Sequence, residues 1–118
     1  METPTLGHCI SAIRPLRDAL DVINGKWKLQ ILVAIRTGHQ RFREMERSIP
    51  GISSKVLAKE LKDLEMHLLI KRTVHEGPPV QVSYEASPYA ATLDPVIFAL
   101  RDWGARHREK IMGQEASL

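Results

Sequence analysis

The stretch GISSKVLAKELKDLE, residues 51–65, decides the predicted fold because its lysines and leucines separate onto two sides of a helix. At about 100° per residue, Lys55, Lys59 and Lys62 fall at about 0°, 40° and 340°, within one narrow stripe. The leucines expected on the opposite side are Leu57, Leu61, Leu64 and Leu68. Such a helix packs its leucine side against a body and presents positive charge to a partner.

Length and composition indicate one globular domain. The chain has 118 residues, of which 43% are hydrophobic and 26% charged, which is typical of a folded chain rather than a disordered one. The sequence shows neither an apolar run of the roughly 20 residues that span a bilayer nor a signal peptide. The single cysteine, Cys9, fits a reducing compartment. We therefore expect a cytoplasmic protein without membrane association.

Positive charge is concentrated in the middle of the chain. Residues 25–75 hold eleven Lys or Arg and five Asp or Glu, a local balance of +6, although the whole chain carries only +3. The flanks hold six basic and nine acidic residues. This distribution predicts a polyanionic partner for the middle and a different role for the ends.

The remaining segments predict helices before the lysine stripe and a hairpin after it. Helical spacing runs from Pro15 to the Asn24-Gly25 stop, then over 27–36, and then through a short helix within 41–51. The short helix is expected to direct inward Phe42, Met45 and Ile49. The helix at 27–36 is apolar around most of its circumference and belongs in the middle of the body, with Trp27 either filling the core or lining a small-ligand pocket.

From residue 69 to 86 the period changes to alternation, predicting two strands joined across EGPP. Ser87-Pro88 predicts the start of a closing helix, which Asp94-Pro95 divides into a short and a long piece. Helix, turn, helix and two-stranded wing make a winged helix-turn-helix, a mainly α fold with a small β wing. In that layout the lysine stripe faces a DNA major groove.

Five segments carry a family resemblance: LDVINGKWKLQIL, RFREMERSIPGISSKVLAKELKDLE, LLIKRTV, PPVQVSYEASP and DWGARH. In order and spacing, across about residues 14–107, they resemble the HxlR-type winged helix-turn-helix transcriptional regulators, relatives of the MarR group in bacteria and archaea. The resemblance implies a homodimer built from N- and C-terminal helices. It also implies one recognition helix per subunit in the major groove and a wing near the backbone. We expect an arm at 1–13, the domain with its dimerisation helix at 14–113, and a tail at 114–118.

The sequence departs from the family pattern at three positions. Arg14 stands where the family often has a cysteine that senses oxidants or electrophiles in some members, and Cys9 lies five residues earlier. Leu68 replaces the usual glycine after the recognition helix, which predicts a differently shaped helix end because a side chain is strained in the left-handed conformation. Ala90 stands where the family has a glycine after a Ser/Thr-Pro step, and it is expected to be tolerated within a helix.

The candidate DNA contacts lie in three places. At the start of the lysine helix, Ser54, Lys55 and Lys59 are expected at or near base edges, with Ser53 as the N-cap near a phosphate. Lys62 is expected at a phosphate. The remaining candidates are Arg41 and Arg43 before and within the short helix, and Lys71, Arg72 and His75 on the wing. Arg41 and Arg43 contact phosphate or lie free on the surface, and Arg72 alternatively lies over the core with its head group out.

The final helix carries an apolar stripe that is longer than this domain needs for itself. The stripe predicts packing against a second copy, and the expected dimer contacts are Ile13, Leu16, Val96, Leu100, Trp103 and His107. Twofold pairing would hold two recognition helices about 34 Å apart, one turn of DNA.

These features favour a dimeric, sequence-specific DNA-binding transcriptional regulator. Alternatives are a redox- or small-ligand-responsive regulator of the same fold, and a winged-helix module that binds protein instead of DNA. Cys9 is either an idle thiol or a redox sensor. The sequence predicts no metal, no cofactor and no enzymatic activity, because it shows no metal spacing, phosphate loop or nucleophile paired with a base.

The regulator expected from these residues represses transcription by binding an inverted-repeat operator as a homodimer. A small-molecule or oxidant effector is compatible with the same fold. The basic front of the lysine helix is intact, which favours DNA over a protein partner, because a module that had lost DNA would keep the leucines and lose the lysines.

Overall fold

The computed structural model describes residues 10–116, and helices make up most of them. In chain order the elements are a 3-10 turn (Ile10–Ala12), α1 (Ile13–Ile23), α2 (Lys28–Arg36), α3 (Phe42–Ser48), α4 (Ser54–Met66), β1 (Ile70–His75), β2 (Gln81–Ala86), a 3-10 helix (Pro88–Leu93) and α5 (Asp94–Ala116). The two strands pair antiparallel, with Ile70 opposite Ala86 and His75 opposite Gln81. This order confirms the predicted winged helix-turn-helix.

The hydrophobic core lies between α2, α3, α4 and the start of the wing. Its largest fully buried side chains are Ile31, Leu32, Ile35, Met45, Leu57, Leu61, Leu64 and Leu69. Phe42 and Trp27 are half-buried and pack against this cluster. The predicted inward positions of α3 and the central place of α2 are therefore confirmed. Trp27 packs against the core, which is one of the two roles predicted for it.

Helix α4 ends in a left-handed turn although no glycine is present there. Leu68 has a φ of 64°. Its N–H donates to the Glu65 carbonyl at 3.1 Å, and the Leu69 N–H donates to the Leu64 carbonyl at 3.0 Å, which is the bond pattern of a Schellman motif. The expectation of a differently shaped helix end is wrong. The inward position expected for Leu68 is also wrong, because this side chain lies beyond the helix and is 71% exposed.

We expect Leu68→Gly to raise the free energy of unfolding by about 0.5 to 1 kcal/mol, because it removes left-handed strain of about 1–2 kcal/mol and adds a smaller entropy cost. Little burial is lost at so exposed a side chain. Thermal denaturation measures the change. Met66→Gly, within α4 and 74% exposed, is the matched control and should lower stability. A destabilised Leu68→Gly would contradict the strain argument.

Helices α1 and α5 extend away from the core. Helix α1 begins two residues before Pro15, which is tolerated because the first turn of a helix has no N–H partners to lose. It contains no buried residue. The predicted division at Asp94-Pro95 is confirmed, since the 3-10 helix ends at Leu93 and α5 continues for 23 residues. The radius of gyration is 17.7 Å, against about 13 Å for a compact domain of about 100 residues.

Candidate nucleic-acid interface

Helix α4 presents its lysine stripe to solvent. Lys55, Lys59 and Lys62 are exposed, whereas the three leucines within the helix are buried on the opposite side. The Ser53 hydroxyl accepts a hydrogen bond from the Val56 N–H at 3.2 Å, so its predicted role as N-cap is confirmed. The cap fixes the start of the helix, and the first basic side chain follows two residues later.

The neighbouring helix α3 contributes both charge and hydrogen bonds at this surface. Arg43 is exposed. Arg41 is exposed as well, but its guanidinium donates to the Gln81 side chain at the start of β2, which ties α3 to the wing. The Ser54 hydroxyl donates to the Glu46 carboxylate, so a negative charge lies beside the first residue of α4. Within this arrangement Ser54 keeps its acceptor lone pairs available to a ligand.

The wing candidates divide between the two faces of the hairpin, because successive strand residues point to opposite sides. Lys71 and His75 share one face, where His75 Nε2 lies 2.8 Å from the Ser83 hydroxyl across the strands. Arg72 is on the other face, opposite Tyr84, and borders a groove that Lys62 also lines. All three wing candidates are exposed.

Lys28 is a buried cation that the sequence pattern did not single out. It is the first residue of α2, and its Nζ lies 2.5 Å from Glu60 Oε2 and 3.5 Å from Asp63 Oδ2 of α4. Burial disfavours its charged form, but the hydrogen bond and charge of Glu60, together with Asp63, raise the pKa of Lys28 above its ordinary value. This side chain is therefore cationic and paired, and it is not a DNA contact.

Two more cations between residues 25 and 75, Arg36 and Lys26, have identified contacts. Arg36, at the end of α2, forms an ion pair with Asp94 at the start of α5. Lys26 lies over the Trp27 ring, with Nζ 4.7 Å from the ring centroid. That ring approaches the turn before α4, since a Cβ at Gly51 would lie 3.9 Å from Trp27 Cη2. Lys26 thus lies over a ring that borders the turn before α4, a placement that helical periodicity could not locate.

A second surface is apolar and lies on α1 and α5. The predicted contacts Ile13 and Leu16 on α1 are exposed, as are Val96, Leu100 and Trp103 on α5. The Trp103 and His107 rings stack, with centroids 4.9 Å apart and planes 8° apart. Stacking at this i, i+4 spacing joins the two rings into one surface within the stripe.

The proposed sensor Cys9 lies outside the described residues. Between residues 10 and 116, no helix combines the length and apolarity needed to cross a membrane. Across that same part of the chain, no three His, Cys, Asp or Glu side chains come together in a group that could hold a metal ion.

Comparisons with known proteins agree with this geometry. The model of the HxlR-like helix-turn-helix family matches residues 22–112. YdeP of Bacillus subtilis, an HTH-type transcriptional regulator, is 35% identical over 103 residues, covering 87% of this chain and 80% of that protein. The redox regulator HypR in its reduced form superposes with a TM-score of 0.77 at 31% identity, covering 84% of this chain and 98% of HypR.

A second solved structure, the reduced transcriptional regulator YodB from B. subtilis, superposes with a TM-score of 0.67 at 28% identity, covering 87% of this chain and 91% of YodB. The family match spans α2 through most of α5 and therefore includes the lysine helix and the wing. The chain belongs to the HxlR-like helix-turn-helix family of DNA-binding transcriptional regulators.

Proposed function

We propose that the protein is a cytoplasmic repressor that binds an inverted-repeat operator as a homodimer. The observation that carries this proposal is the two-sided α4, whose leucines are buried while Lys55, Lys59 and Lys62 face solvent. The major groove of DNA is wide enough to admit an α-helix, and a helix with one exposed basic face can lie in it. Repression follows if the dimer covers promoter DNA that the transcription machinery needs.

Affinity and discrimination come from different residues in this proposal. Arg43, Lys62 and the wing cations contact phosphates, which supplies most of the binding free energy and makes it fall with salt. Arg41 contacts phosphate through the donors that Gln81 leaves unused. Lys55 and Lys59 reach base edges from the first half of α4, where recognition helices make their specific contacts.

The apolar faces of α1 and α5 support the homodimer. They expose Leu16 and Trp103, which are 60% and 58% accessible and would be costly to leave in water. A twofold pairing that buries both faces would hold two copies of α4 about 34 Å apart, the repeat of one DNA turn.

We expect Lys55→Ala and Lys59→Ala each to weaken binding to a selected duplex by about 1 to 3 kcal/mol, with a much smaller effect on random DNA. Lys62→Ala is the matched control on the same helix and should weaken both duplexes alike, because a phosphate contact carries no sequence information. Fluorescence anisotropy titrations at one fixed salt concentration measure both affinities. An equal loss on both duplexes for Lys55→Ala and Lys59→Ala would exclude base reading by these lysines.

A further inference from the structure

Lys28 is the one charged side chain that is buried among the residues whose side chains the structure describes. Only 6% of its surface is exposed. It joins α2, the central helix of the body, to two carboxylates of α4, at 2.5 Å from Glu60 and 3.5 Å from Asp63. Helix α4 is therefore held against the core by ion pairs as well as by its buried leucines.

Stability alone does not account for such a group. Removing an ammonium ion and a carboxylate from water carries a large desolvation cost, and an apolar pair of similar size is often as stable. What an ion pair adds is direction, because its hydrogen bond is satisfied at one relative placement of the two groups. In this structure the ion pairs therefore restrict the orientation of α4 relative to α2.

The two carboxylates lie on one flank of α4. With Lys55 at 0°, Asp63 and Glu60 fall at about 80° and 140°, between the lysine stripe and the leucine side. On the other flank, Ala58 and Glu65 line the groove against the wing. Lys28 therefore opposes rotation of α4 from one side while the wing bounds it from the other.

We propose that Lys28 is a positioning residue that sets the rotation of α4 and thereby the sequence discrimination of Lys55 and Lys59, an inference that rests on the proposed function. At a side-chain radius of about 6 Å, a rotation of about 20° moves a side-chain tip by roughly 2 Å. That displacement breaks a base hydrogen bond, whose distance range is narrow. Long side chains at phosphates adjust to it, so non-specific binding is retained.

The test is the double variant Lys28→Met/Glu60→Gln. It leaves the net charge unchanged, keeps the length of the buried side chain, and leaves Asp63, whose side chain is 36% exposed, in contact with water. We expect affinity for a selected duplex to fall about tenfold while affinity for random duplexes and the unfolding temperature stay close to wild type. Glu60→Gln alone keeps the Asp63 partner and should give a smaller loss, roughly threefold.

Lys110→Met is the control, because it removes one positive charge from an exposed position on α5. It should lower both affinities together or leave both unchanged. An unchanged ratio of selected to random affinity in the folded double variant would overturn the inference, and so would an equal loss on both duplexes. If the double variant does not fold, the ratio for Glu60→Gln decides in the same way.

The wild-type protein separates this inference from the proposed function. If it prefers no duplex over random DNA, the proposed function fails and the inference fails with it. If it shows a clear preference and the variants keep the full ratio, only the positioning role of Lys28 is overturned.

Discussion

Trp103→Asp is expected to convert the protein to a monomer and to lower its affinity for an inverted-repeat duplex about 100-fold or more. The indole is 58% exposed and stacked on His107 in the centre of the apolar α5 stripe. A carboxylate placed there would have to leave water and enter the apolar interface in each subunit of the dimer, which is strongly unfavourable. Loss of the dimer removes the avidity of two linked half-site contacts, an effect of about 10² to 10⁴.

Sedimentation velocity measures the first effect as a shift to the 13.3 kDa species, and anisotropy titration measures the second. Phe98→Asp is the matched control, since Phe98 is also an exposed aromatic of α5 but lies about 140° around the helix from Trp103. This control should remain dimeric. A Trp103→Asp variant that stayed dimeric with full affinity would place the dimer contact elsewhere.

Leu57→Ala is expected to lower the free energy of unfolding by about 2 to 5 kcal/mol, the range for a large-to-small change in a packed core. Leu57 is 0% exposed and belongs to the cluster that α4 buries against α2 and α3. Its loss would leave a cavity on the inner side of α4 while the lysine stripe stays intact. Because native stability is only about 5–15 kcal/mol, this one change removes a large fraction of it.

Urea denaturation followed by circular dichroism gives the value. Met66→Ala serves as the control, because Met66 is on the same helix but exposed, and its truncation should change stability by less than about 0.5 kcal/mol. Equal losses for the two variants would mean that the leucine side of α4 is not what anchors it.

The helix at 54–66 could be predicted from sequence because its two faces differ in residue type at a fixed spacing. The inward position predicted for Leu68 was wrong because this residue continues the leucine spacing after the helix has ended. The Leu64 and Glu65 carbonyls accept the N–H groups of the next turn and close the helix there. Helical periodicity cannot register this ending when the residue in the left-handed position is not glycine.

The Lys28 ion pairs could not be predicted, because the nearer of the two partners on α4, Glu60, lies 32 residues further along the chain. In the sequence, Lys28 is one of eleven cations in the basic middle, and only the packing of α2 against α4 turns it from a surface charge into a buried one. The same holds for Arg41, whose bond to Gln81 depends on how the wing folds back beside α3.

The most direct test of the central claim is selection of bound duplexes from a random pool at near-physiological salt, followed by titration of the enriched duplex across salt concentrations. We expect an inverted repeat with half-site centres about one helical turn apart and an affinity that falls steeply as salt rises. Absence of any enrichment over random DNA would contradict the central claim, and the lysine face of α4 would then serve a partner other than a specific DNA sequence.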